Sequence, residues 1–93
     1  MHESVYIVEQ SYYKHDNKFS CNEYTHGIMS VHKNLDDALK ILRAIHKKAI
    51  QTPDVFDVRL DEETYRPYVI YRWLNEKNKQ YDRLVQIIPC DLT

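Results

Sequence analysis

The chain contains a single glycine, Gly27, in 93 residues. That excludes the glycine-rich phosphate loops, which need several glycines to bring backbone close to a ligand. Cysteine is nearly as scarce. Cys21 and Cys90 are the only two, and such a pair reads as reduced thiols of a cytoplasmic protein rather than as a disulfide framework. No apolar run approaches the ~18 residues of a membrane span. The opening MHESVYIVEQ has neither the cationic start nor the apolar stretch of a signal peptide. A surplus of one charge is also missing, with 13 Lys and Arg against 14 Asp and Glu. Nucleic-acid binders usually carry a clear basic excess, so that class is disfavoured. A soluble, cytoplasmic chain with no membrane partner is expected, folded as one domain over 1–93.

Chemistry-bearing spacings are missing as well. The five histidines, His2, His15, His26, His32 and His46, form no HxxxH pair, and there is no CxxC, so no zinc pattern is present. On a strand, His26 and His32 would share one face about 20 Å apart, too far to hold one metal. His46 falls on the apolar stripe of a helix, as boundary histidines do. Ser20 and Cys21, near His15 and His26, are the one local nucleophile arrangement, and turn residues of a surface loop explain them better. Asp36–Asp37 suits a helix start and Asp61–Glu62–Glu63 a solvated turn, so neither pair needs an acid–base role. No catalytic residue, metal or cofactor is assigned, and the chain is expected not to be an enzyme.

What the chain has in surplus is tyrosine, eight of them, with Trp73 as the one tryptophan. It also has one clear helix. In Asn34–Gln51, Leu35, Ala38, Leu39, Leu42, Ile45, His46, Ala49 and Ile50 recur at 3- and 4-residue steps. Asn34 suits an N-cap, with Asp37 placed to complete a capping box. Asp36 and Asp37 at the start and Lys47 and Lys48 near the end oppose the helix dipole favourably, and Pro53 ends the element. At ~1.5 Å per residue such a helix is about 25 Å long, enough to cross four or five strands ~4.8 Å apart.

The remainder reads as sheet. Ser4–Tyr13 puts Val5 and Ile7 on one face and Tyr6, Val8 and Tyr12 on the other. Lys14–Glu23 is polar apart from Phe19 and reads as a long loop, the best placed for binding. Tyr24–Lys33 is a second strand, its Ile28 and Val31 on opposite faces, with Gly27 marking a bulge or a close backbone approach. Val55–Leu60 and Pro67–Leu74 follow, joined by the charged turn Asp61–Arg66. Tyr81–Ile88, ended by Pro89, comes after the turn Asn75–Gln80. Trp73, Leu74, Tyr81, Leu84, Val85 and Ile88 also fit a helical stripe interrupted at Lys77–Asn78. The β-branched and aromatic residues on both flanks favour two strands. The expected fold is α+β, a mainly antiparallel sheet of about five strands with one helix on one face, in the order ββαβββ.

One helix covers one sheet face. Yet Pro67–Leu74 is apolar on both, with Tyr68, Ile70 and Leu74 opposite Val69, Tyr71 and Trp73. A large uncovered apolar patch is avoided by soluble monomers, so a second copy, another protein or the 14–23 loop should cover the second face. Tyr and Trp suit an interface. The function expected is therefore that of a small protein-binding accessory protein acting by occupancy, such as an inhibitor or phage-type antagonist of a larger assembly. A homodimer and a protein partner are implied. The partner-binding candidates are Tyr6, Tyr12, Phe19, Tyr65, Tyr71 and Trp73, with Arg66 beside Tyr65 in its turn. The alternative is a nucleic-acid-binding module using a helix ridge of Lys40, Arg43, Lys47 and Lys48 with sheet aromatics as stacking platforms. A small enzyme in a dimer cleft, with His26 or His32 as base, is a third.

Overall fold

A computed structural model of the chain describes residues 3–17 and 20–92, with the backbone alone at 16–17, 20–21 and 24. Its elements are β1 (Ser4–Asn17), β2 (Ser20–His32), α1 (Leu35–Ile50), β3 (Val55–Asp61), β4 (Tyr68–Leu74) and β5 (Gln80–Asp91). The five strands form one sheet in the order β2-β1-β5-β4-β3, with antiparallel pairing throughout. The architecture is α+β, with α1 packed on one face.

The topology follows from three short connections and one long crossover. β1 and β2 form a hairpin at one edge. α1 then carries the chain to the far edge, where β3, β4 and β5 meander back until β5 docks on β1. Sixteen helical residues span about 24 Å, which matches the ~19 Å from the first strand of a five-stranded sheet to the last. The core lies between α1 and the sheet. Ala38, Leu39 and Leu42 meet Val8, Val69, Val85 and Ile87, and Tyr6, Ile41, Ile45 and Leu60 pack around them. Neighbours in register share a face, as Val8 with Ile87 and Val69 with Val85 do.

Several local expectations need correction. The described residues of 14–23 are strand rather than loop, because β1 runs to Asn17 and β2 starts at Ser20. Their polarity reflects a ribbon beyond the reach of α1, where neither face needs to be apolar. Asn34 has the extended backbone of an N-cap, but its side chain makes no capping bond. Asp37 pairs with Lys40 at 3.8 Å rather than closing a capping box. Gly27 pairs with Gln10 in regular register, and a Cβ there would meet nothing within 4 Å. The irregularity sits two residues on, where Met29 is the extra residue between Val8/Ser30 and Glu9/Ile28. That bulge reverses the alternation, so Ile28 and Val31 lie on the same face, opposite Glu9 and Ile7. It also puts His26 and His32 on opposite faces.

β5 does not stop at Pro89 but continues to Asp91. Ile87 N donates to Pro67 O at 2.8 Å on the β4 side. Two residues on, the amide position of Pro89 points the same way, past the end of β4, so its missing N–H costs no ladder bond. The 75–80 segment is a hairpin turn rather than a broken helix. Asn75 Oδ1 accepts from the amides of Lys77 and Lys79 at 2.9 Å each, and Asn78 takes φ 59°.

Candidate functional site

Two surfaces stand out, one on each side of the sheet. The first is the face that α1 leaves bare. It carries Val5, Ile7, Ile28, Val31, Tyr68, Ile70, Leu84 and Ile88, placed there by register. Ile28 is 64% and Val31 55% exposed, with Leu74 at 44% on the same face. The uncovered face is thus mainly aliphatic, while Tyr12, Tyr71 and Trp73 lie on the helix side.

Toward the hairpin tip the same face turns polar and self-contained. The Asp82 carboxylate, nearly buried, lies 2.8 Å from His15 Nε2 and 3.6 Å from Arg72 Nε, and Gln80 Nε2 donates to it at 3.0 Å. Arg72 Nη1 donates to Asp57 at 3.2 Å. His26 Nδ1 is 2.8 Å from the buried Ser11 Oγ, with Glu23 and Glu9 carboxylates at 3.2 and 3.6 Å from its ring nitrogens. All of these groups are matched to another except the buried Arg72 Nε, which has no hydrogen-bond partner and lies 3.6 Å from Asp82, so the cluster reads as a nearly satisfied network. Among the described residues no group of three or more His, Cys, Asp or Glu side chains is placed to hold a metal ion. Cys90 is a free thiol. Cys21 pairs with His15 and Cys90 with Val5, so a bridge would have to span about 33 Å along β1.

The second surface lies on the helix side. α1 crosses diagonally from the β2 edge to the β3 edge and leaves the hairpin-tip half of that face open. Here Tyr12, Tyr71, Trp73 and Tyr81 come together. Trp73 stacks on Tyr81 with centroids 5.6 Å apart, meets Tyr71 at 5.5 Å and takes Tyr12 edge-on at 6.3 Å. Arg83 lies beside them, its guanidinium 5.6 Å from the Tyr12 ring and 5.9 Å from the Tyr71 ring. It donates to Gln10 Oε1 at 2.8 and 3.1 Å and to the Tyr71 hydroxyl at 3.3 Å. A cavity of about 150 Å³ between Arg83 and the last turn of α1 shares Thr52, Val55 and Tyr71 with a second of about 310 Å³ over Tyr12, Tyr71 and Trp73.

Of the sequence candidates, Tyr12, Tyr71 and Trp73 are brought together. Tyr6 sits at the rim of the core under α1. Tyr65, 77% exposed, stands apart on the β3–β4 turn, and Phe19 lies outside the described residues. Two of the four cations of the basic ridge on α1 are paired. Lys40 pairs with Asp37, and Arg43 Nε donates to Glu62 at 3.0 Å. Hydrogen bonding and charge from Arg43 hold the Glu62 carboxyl below its ordinary range, and Glu62 raises Arg43 in return. Sequence reading missed Arg83 and Tyr81. The alternation Tyr81, Arg83, Val85 in β5 was the available signal, since it puts a guanidinium on an otherwise apolar face. No helix among the described residues is long and apolar enough to cross a membrane. Comparison of the chain with protein-family models, curated proteins and solved structures found no match.

Proposed function

We propose that this protein acts by binding protein rather than by catalysis, and that the bare aliphatic face pairs with the same face of a second copy. The observation that carries this reading is the band from Val31 and Ile28 across Ile7, Ile88 and Leu84 to Ile70. Apolar side chains are worth about 25 cal/mol per Å² when removed from water, and no segment of α1 reaches them. The band crosses four strands, about 19 Å by 23 Å, with Asp57, Arg59 and Asp61 of β3 at its edge, so two copies bury roughly 900 Å², near the lower limit for a specific interface. The chain also exposes 6564 Å², against about 5,700 Å² for a typical monomer of this mass. Stacking the two sheets makes a sandwich with α1 outermost on each side, so the aromatic surface stays open for a different protein. Occupancy of that partner, in a cytoplasmic accessory or inhibitory role, is the function this arrangement supports.

Ile28 and Val31 are exposed in the monomer, so charging them is tolerated by the fold but not by a buried interface. The double variant Ile28→Glu, Val31→Glu is expected to keep the wild-type circular dichroism and elute as a monomer on size exclusion, while the wild type elutes as a dimer. Identical elution of the two would sink the pairing.

A further inference from the structure

We propose that the trough between the end of α1 and β4–β5 binds a short peptide segment of a partner protein, one carboxylate entering beside Arg83 and Lys48 and a neighbouring aromatic side chain lying on Tyr12, Tyr71 and Trp73. This rests on the reading that the protein binds protein.

Arg83 anchors the trough. Arg43, Arg59 and Arg72 each pair with a carboxylate, whereas among the described residues half-buried Arg83 is held only by the neutral acceptors Gln10, Tyr71 and Met29. A partly desolvated guanidinium without a counter-ion is a receptor for one, and its neighbours fix it in place. The 150 Å³ cavity in front of it adds the Lys48 ammonium and the Thr52 hydroxyl, and Ile45, Ala49 and Val55 complete its walls with no acidic residue. Carbonyls at that end of α1 are already engaged. Gln51 N and Thr52 Oγ1 donate to Lys48 O, and Thr52 N donates to Ala49 O. The adjoining aromatic cavity shares Thr52, Val55 and Tyr71 with the first, so a carboxylate and a ring one residue apart fit side by side.

Asp54 decides between a peptide and a nucleic-acid strand. It lines the aromatic cavity and also the wider hollow beyond, where Lys14, Lys77 and Lys79 are joined by Glu76. A strand bearing a charge at every nucleotide would meet Asp54 between its cationic contacts. A peptide with a single carboxylate would not.

Trp73 is the chain's one tryptophan, so its emission reports on this site. The probes are acetyl-Phe-Glu-amide, its Gln analogue and an oligothymidylate. The Glu peptide is expected to change Trp73 emission saturably, with the Gln analogue bound roughly tenfold or more weakly. Arg83→Gln and the exposed Lys48→Glu should each abolish the preference for Glu, and Lys48→Glu tests the charge without disturbing the Gln10–Tyr71 scaffold. Equal titration by the two peptides, or no response to either, overturns the proposal. Tighter, steeply salt-dependent binding of the oligothymidylate overturns the peptide assignment. A wild-type monomer that still prefers the Glu peptide removes the sheet-face pairing and leaves the trough. A dimer blind to both peptides does the reverse.

Discussion

At the residue scale, the Asp82 carboxylate is the acceptor on which the polar end of the bare face converges. His15, Arg72 and Gln80 all turn toward it, and its side chain is 7% exposed. Removing the carboxylate takes a nearly buried acceptor away from His15, Arg72 and Gln80. Asp82→Ala should therefore cost about 3 kcal/mol in urea unfolding, and a loss below about 0.5 kcal/mol would mean that water replaces the carboxylate readily. Arg43 and Glu62 make a contrasting pair at the surface, tying α1 to the β3–β4 turn. A carboxyl held below its ordinary range stabilises the fold above that range, and the contribution disappears as pH falls through the depressed value. The melting-temperature difference between wild type and Glu62→Gln should thus be present at neutral pH and vanish in acid. A difference that persists unchanged in acid would assign it to packing.

At the element scale, α1 was legible because its signal is redundant. Periodicity, charge placement and Pro53 all agree, and the helix ends within a residue of where they put it. Its N-cap was less so, since Asn34 takes the expected backbone without the expected side-chain bond. Strands β3, β4 and β5 were legible from composition, and the face assignments of β1 and β4 followed from alternation. What alternation could not reveal was the bulge at Met29, because one inserted residue reverses every face beyond it. The hairpin tip was missed for a related reason. A ribbon outside the core has no apolar period to announce it. The aromatic cluster was half legible. Tyr71 and Trp73 share a face by alternation, but Tyr12 and Arg83 join them only through the register of β1 with β5. Leu42, fully buried under the centre of the helix, should lose about 3 kcal/mol on change to Ala. Asn78, at φ 59° in the β4–β5 turn, should accept Gly with little change and lose about 1–2 kcal/mol on change to Val.

At the scale of the whole molecule, the dimensions of 52 × 26 × 19 Å describe a thin two-layer slab drawn out along β1 and β2. A slab with one helix has one face too many. The hydrophobic residues that make β1, β4 and β5 strand-like on both sides are more than a single α1 can cover, and a second sheet is the cover proposed for them. The helix-side trough lies outside the proposed contact, so the proposed self-association and partner binding fall on opposite faces and can be tested separately.

The most direct test is the molar mass of the wild-type protein by light scattering after size exclusion, over a range of loading concentrations. The account predicts twice 11.2 kDa, falling toward the monomer only on dilution. A mass of 11.2 kDa at every concentration would contradict it.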